Sequence, residues 1–165
     1  MERAFDILLS WVDGAARLVL LACMSVMIAV VASQVFMRYV LNSSIDWADE
    51  VSRLAFVWAI FLAIPLGIRE GAHVGIDLLT SRLPRGLARQ IGRVMLGLAC
   101  LLMCVVVYES TIVAAETWSE RLGAINISSS YFFVAVIIGS AHAALHLVHL
   151  VLHPLEEHGP EYPID

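Results

Sequence analysis

The sequence predicts an all-α integral membrane protein: a single membrane domain over residues 1–165 with four transmembrane helices and a short interfacial amphipathic helix. Three observations carry that prediction. Of the 165 residues, 60% are hydrophobic and 15% charged, whereas soluble domains are roughly 25% charged. The mean hydropathy of +0.84 implies more apolar surface than a core of this size can hide, so the excess must face lipid or a partner. The apolar residues also gather in four stretches, each close to the length that spans about 30 Å of hydrocarbon. The charge balance narrows the function: 15 acidic residues against ten arginines and no lysine give a net −5, which argues against a nucleic-acid binder.

The first stretch runs from Ala15 to Phe36. Ahead of it, Phe5, Leu8, Leu9 and Val12 suit an interfacial position from which the chain then turns inward. Leu20-Leu21-Ala22-Cys23 loosely resembles a lipoprotein processing site. The apolar run continues well past Cys23, however, and the thin basic leader of Arg3 and Arg17 is offset by Glu2, Asp6 and Asp13, so the first span is expected to be retained.

The second stretch is the shortest, Leu54 to Ile68. Trp47, Ala48 and Val51 extend it to a span over 47–68, and Pro65 with Gly67 predicts a kink whose freed backbone groups find neighbouring helices. An interfacial segment follows over 73–93. Leu79, Leu83 and Leu87 recur at four-residue spacing with Arg82, Arg85, Arg89 and Arg93 around them, and Pro84 interrupts it.

The third span covers Val94 to Val113 and the fourth Tyr131 to Leu152. Ser128, Ser129 and Ser130 precede the fourth as a helix entry, with hydroxyls placed to cap its first amides. Asn126-Ile127-Ser128 matches a glycosylation acceptor, read as chance in so short a loop. Cys23, Cys100 and Cys104 all fall inside spans, where a thiol behaves as a small apolar residue; neither a disulfide nor a metal site is implied.

Arginine placement orients the chain. Arg3, Arg17, Arg69, Arg82, Arg85, Arg89 and Arg93 belong to the N-terminal segment and second loop, against Arg38, Arg53 and Arg121 in loops one and three, which places both termini inside. Asp46, Asp49, Glu50, Glu109, Glu116 and Glu120 then form an acidic outer face. Tyr39, Trp47, Tyr108, Trp118 and Tyr131 sit at headgroup level.

In lipid, helices associate through small residues and interhelical hydrogen bonds rather than by hiding leucine. Ala55, Ala59, Ala63 and Gly67 recur every four residues in the second span, and Ala135, Gly139 and Ala143 do so in the fourth. Ala22, Ser25, Ala29 and Ser33 form a looser seam in the first, where Gln34 is the one amide inside a span. These seams serve either internal packing or contact with another membrane protein.

His142, His146, His149 and His153 fall within an arc of about 60° on the fourth helix. Such a stripe can ligate haem or a metal, but bis-histidine haem takes its ligands from facing helices, and His73 is the one candidate partner elsewhere on that side. No span carries an acidic residue at its middle and no internal repeat relates the two halves, so the chain alone lacks coupling machinery for transport. Nor does a GxSxG, HExxH or phosphate loop appear, and no enzyme is expected.

The most informative stretch runs from Phe36 to Leu54. Trp47 can anchor the interface while Asp49, Glu50 and Arg53 occupy the first turns of a helix, where carboxylates suit the positive end of the dipole. Arg38 is placed to pair with Glu50 or Asp49 across the loop, pinning the first two spans as a hairpin. The Arg38-Tyr39 pair with Asn42, Trp47 followed by Glu50 and Arg53, and the run Pro65-Leu66-Gly67-Ile68-Arg69-Glu70-Gly71-Ala72-His73-Val74 together resemble the DctQ-like small membrane subunit of tripartite ATP-independent periplasmic (TRAP) transporters. Ala63-Ile64-Pro65 departs from the glycine-rich turn common there.

The resemblance implies a non-catalytic partner without cofactors. A large multi-span permease subunit would carry the substrate and sodium sites, and a periplasmic binding protein would deliver a small organic anion. On this reading Arg38, Tyr39, Trp47, Asp49, Glu50, Arg53, Arg69 and His73 belong to the structural or partner interface, and the acidic outer loops face the binding protein. A haem-binding membrane anchor of an oxidoreductase, using His73 and the fourth-helix histidines, is the main alternative. A stand-alone small multidrug carrier is a third.

Overall fold

The computed structural model describes residues 2–69 and 85–152. Four helices occupy them: α1 (Glu2–Val40), α2 (Ala48–Arg69), α3 (Arg85–Glu116) and α4 (Ser130–Leu152). Each contains a segment long and apolar enough to cross a membrane: Leu9–Val40, Ala48–Arg69, Gln90–Glu116 and Ser130–Val151. The all-α, four-span plan thus matches the sequence-based expectation, and two boundaries move.

The first concerns the N-terminus, where no inward turn separates an interfacial segment from the first span. A single helix runs from Glu2 through Gly14 to Val40, because one packing stripe continues through the region expected to bend. Between Leu9 and Met37 its less exposed positions are Leu9, Asp13, Ala16, Leu20, Cys23, Met27, Val30, Gln34 and Met37, at alternating spacings of four and three. That is a heptad seam, suited to a shallow left-handed crossing against one neighbour. The seam proposed from Ala22, Ser25, Ala29 and Ser33 lies on exposed positions instead. The second concerns the arginine-rich segment: Arg85, Arg89 and Arg93 lie on the first turns of α3 itself, continuous with the third span. The rest of that segment, including His73, Arg82 and Pro84, lies outside the described residues.

Among the described residues, helix contacts run α1 to α2, α2 to α4 and α4 to α3, and no other pair of helices packs. The bundle is therefore an open row with α2 and α4 inside and α1 and α3 at the edges. Helix α3 repeats the edge pattern: Gly92, Leu96, Ala99, Met103, Val106, Ser110 and Val113 face inward at spacings of four and three, while Val94, Leu98, Leu101, Leu102 and Tyr108 are exposed.

The centre of the row is the α2–α4 crossing. Pro65 lies inside α2 and is buried, and its missing N–H leaves the carbonyl of Phe61, one turn earlier, without its usual helical donor. Gly139 of α4 packs on that carbonyl. A Cβ at Gly139 would overlap the Phe61 carbonyl oxygen and stand 2.7 Å from its carbon. The glycine thus permits the close backbone approach on which helix association in lipid depends. Around it Ala55, Ala59, Ala135 and Ala143 are buried, while Ala63 is exposed and Gly67 half-buried; Leu62 and Leu66 take the inward positions on that part of α2.

Candidate functional site

Two polar clusters fasten the row, one at each end. The first joins the first third of α1, the last turn of α2 and the second half of α4. Asp13 falls on the heptad seam of α1 and is 3% exposed, so its carboxylate must find partners within the protein. It finds three. Arg69, in the last turn of α2, donates through Nη1 to Asp13 Oδ2 at 2.7 Å. Nε2 of His142 and Nε2 of His146 lie 2.7 and 2.8 Å from Asp13 Oδ1. An ionised carboxylate accepts from both rings, which places a proton on each Nε2. His142 and His146 are one turn apart on α4, both buried, with ring centroids 4.9 Å apart and planes tilted by 42°. Arg69 is half-exposed, so its guanidinium balances the carboxylate while keeping one edge toward the surroundings. Asp13 therefore ties α1 to both inner helices, although α1 and α4 do not otherwise pack.

The second cluster lies at the opposite end. Glu50, in the first turn of α2, does not pair with Arg53 or Arg38; its carboxylate accepts the backbone amides of the α3–α4 loop. Ala124 N–H is 3.0 Å from both oxygens, and Ile125 N–H is 3.0 Å from Oε2. Backbone amides win because the loop is already folded back on itself, with Leu122 N–H donating to the Ile127 carbonyl and Ser129 N–H to Glu120. That fold presents two adjacent N–H groups toward the carboxylate. Asp49 accepts instead from Gln34 Nε2 of α1 at 3.0 Å, so the amide of the first span joins α1 to α2. Pinning of the first two spans thus runs through Gln34 rather than Arg38, whose side chain is exposed.

Nearby hydroxyls complete this end. Ser128 Oγ accepts from the Ser130 amide at 3.2 Å and donates to the Trp118 carbonyl at 2.8 Å. Ser130 Oγ donates to the Ala114 carbonyl at 2.7 Å and lies 3.1 Å from Thr117 Oγ1, satisfying a carbonyl in the last turn of α3 that has no helical partner. Trp118 and Tyr131 stack at 6.3 Å. Before α2, Asn42 adopts a left-handed conformation with φ 49°, and the amides of Leu41 and Ser43 both donate to Met37. Asn42 thereby ends α1 at a position asparagine tolerates better than most residues.

The residues singled out from the sequence therefore divide. Arg69 enters the Asp13 cluster; Glu50 and Asp49 enter the opposite one; Arg38, Tyr39, Trp47 and Arg53 are exposed. In the sequence Asp13 stands only as an offset to the basic leader. Its signal was the four-and-three spacing with Leu9, Ala16 and Leu20, which puts a carboxylate on the packing face one turn inside an apolar helix.

The region over residues 27–157 matches the family of tripartite ATP-independent periplasmic transporters, DctQ component. The chain belongs to that family. It is 27% identical over 131 residues to a TRAP transporter small permease protein of Haemophilus influenzae, with 79% of each chain covered. It is 32% identical over 107 residues to the C4-dicarboxylate TRAP transporter small permease protein of Pseudomonas aeruginosa, covering 61% of this chain and 50% of that one. A stretch of 55 residues is 34% identical to part of the sialic acid TRAP transporter permease protein of another Haemophilus influenzae strain, covering 33% of this chain and 9% of that protein. This DctQ component is a TRAP small permease subunit of the inner membrane, a multi-pass transporter component rather than an enzyme, and such subunits work with a large permease subunit. The oxidoreductase-anchor alternative gives way to that membership. In keeping with this, His142 and His146 turn toward a carboxylate rather than toward a facing histidine.

Proposed function

We propose that this DctQ component is a fixed brace for the large permease subunit of a sodium-coupled tripartite system that takes up small organic anions. The observation that carries the proposal is the contrast between inner and edge helices. Apolar residues such as Leu18, Leu21 and Ile28 on α1, and Leu98, Leu101 and Val105 on α3, form continuous exposed faces, whereas α2 and α4 are locked together through Gly139. A rigid centre with apolar edges suits a body against which another membrane protein is held. The anionic substrate class is an inference from relatives named for C4-dicarboxylates and sialic acid.

Both termini are assigned to the cytoplasm from the arginine distribution. The opposite end, with exposed Arg38, Tyr39, Trp47 and Arg53 and the acidic residues Asp46 and Glu120, then helps to dock the periplasmic binding protein.

Photo-crosslinking groups placed at Leu101 and Leu21 test the brace. They are expected to capture the co-expressed large subunit from at least one edge helix, and capture at neither, in membranes active for uptake, would overturn the reading. Charge reversal at Asp46 and Glu120 is expected to weaken binding-protein docking and slow sodium-driven uptake; unchanged docking and uptake would remove the docking role and leave the brace.

A further inference from the structure

We propose that Asp13, His142 and His146 form a binding site for a divalent first-row transition metal, zinc above all. Three features of this cluster go beyond what fastening helices requires. His142 and His146 are four residues apart on one helix and present the same ring nitrogen, Nε2, to one point. The third group is a carboxylate from a different helix, and the three ligand atoms lie within 4.8 Å of one another. All three side chains are buried, so they are held in place before a metal arrives. Two imidazoles and one carboxylate are a ligand set zinc accepts, with the fourth tetrahedral position left for water.

Admitting the ion requires an adjustment at each nitrogen–oxygen pair. Donor atoms around a tetrahedral zinc are about 3.3 Å apart, from metal–ligand distances of about 2.0 Å. The nitrogens now stand 2.7 and 2.8 Å from Oδ1, so each ring must retreat by roughly half an ångström, a motion open to a side-chain torsion. Each imidazole moves its proton from Nε2 to Nδ1 as Nε2 takes the metal, so the rings stay neutral. Arg69 holds Asp13 Oδ2 and leaves Oδ1 for the metal, as outer hydrogen bonds orient ligating carboxylates elsewhere. Half of the Arg69 side chain is exposed, so its positive charge is partly screened from the ion while it keeps its hold on Oδ2. Bound metal would join α1 to α4 across the end of α2.

The test is zinc retention by the full-length chain, purified in mild detergent without a polyhistidine tag, loaded with zinc and passed through gel filtration. About one equivalent per chain is expected, falling to below about a tenth in His142→Gln and unchanged in His149→Gln. Loss in both variants, or in neither, would show zinc held by scattered histidines and overturn the proposal. Cobalt(II) added to the unmutated chain gives a reading that needs no variant to fold: a four-coordinate site absorbs far more strongly in the visible than hydrated cobalt(II). Only the weak spectrum of the hydrated ion would equally overturn the site.

Discussion

The two polar clusters of this small permease subunit solve the same problem, holding helices together where apolar packing gives little, by opposite means. At the Asp13 end, three side chains from two helices meet around one buried carboxylate of a third. At the Glu50 end, a half-buried carboxylate holds the backbone of a loop. The first arrangement depends above all on its three buried members, Asp13, His142 and His146, because removing one of them leaves a buried polar group without its partner. The second depends on one residue, since any sequence supplies amides once the loop adopts its fold. The Asp13 cluster is thus the more fragile of the two and the more specific.

The largest effect is expected where that fragility concentrates. Asp13→Ala leaves two buried imidazoles and Arg69 without their acceptor and should destabilise the fold by about 3 kcal/mol or more, measured as an earlier transition when detergent-solubilised protein is titrated with a denaturing detergent. A loss below that of Glu50→Ala would reverse the ranking of the two ends. Gly139→Ala probes the crossing between them. Its new methyl meets the Phe61 carbonyl, and a cost of about 1–3 kcal/mol is expected. Cysteine pairs across the α2–α4 contact would cross-link more slowly if the helices separate, and an unchanged rate would show that the backbones were not in contact there.

Glu50→Ala should cost about 1–2 kcal/mol, as loop amides lose a charged acceptor at a position water can reach. Its signature is local: amide exchange at Ala124 and Ile125 should speed by about tenfold while exchange at α4 mid-helix stays slow. The smallest change should come from Arg69→Gln, about 1 kcal/mol, because half of that side chain already meets its surroundings and glutamine can still donate to Asp13 Oδ2. A cost equal to that of Asp13→Ala would mean that charge balance, rather than the histidine contacts, dominates the cluster.

Much of the architecture was legible in the sequence because lipid imposes a length on apolar stretches. The four spans, the buried Ala55, Ala59, Ala135, Gly139 and Ala143, and the serine entry to α4 follow from rules acting within one helix. Contacts between helices were less legible. Glu50 has an arginine three residues away and another across the loop, yet a loop more than seventy residues distant takes it; no local pattern encodes that choice. Asp13 was missed for a different reason. It precedes the apolar run that starts at Ala15 and so counts as leader charge, whereas its place in the heptad seam makes it part of the packed face. The histidine stripe was visible, but its partner lay on the one helix where a carboxylate had been read as leader charge.

The open row has a consequence for where a solute can travel. Four helices joined in single file have two broad faces and two edges but no lumen, so nothing within the described residues surrounds a permeant from opposite sides. A wall of this kind contributes to a passage only by lending a surface to something else. On the proposed brace role, whatever rocks, slides or opens during uptake would do so alongside it, and the Phe61–Gly139 crossing would set how still that surface stays.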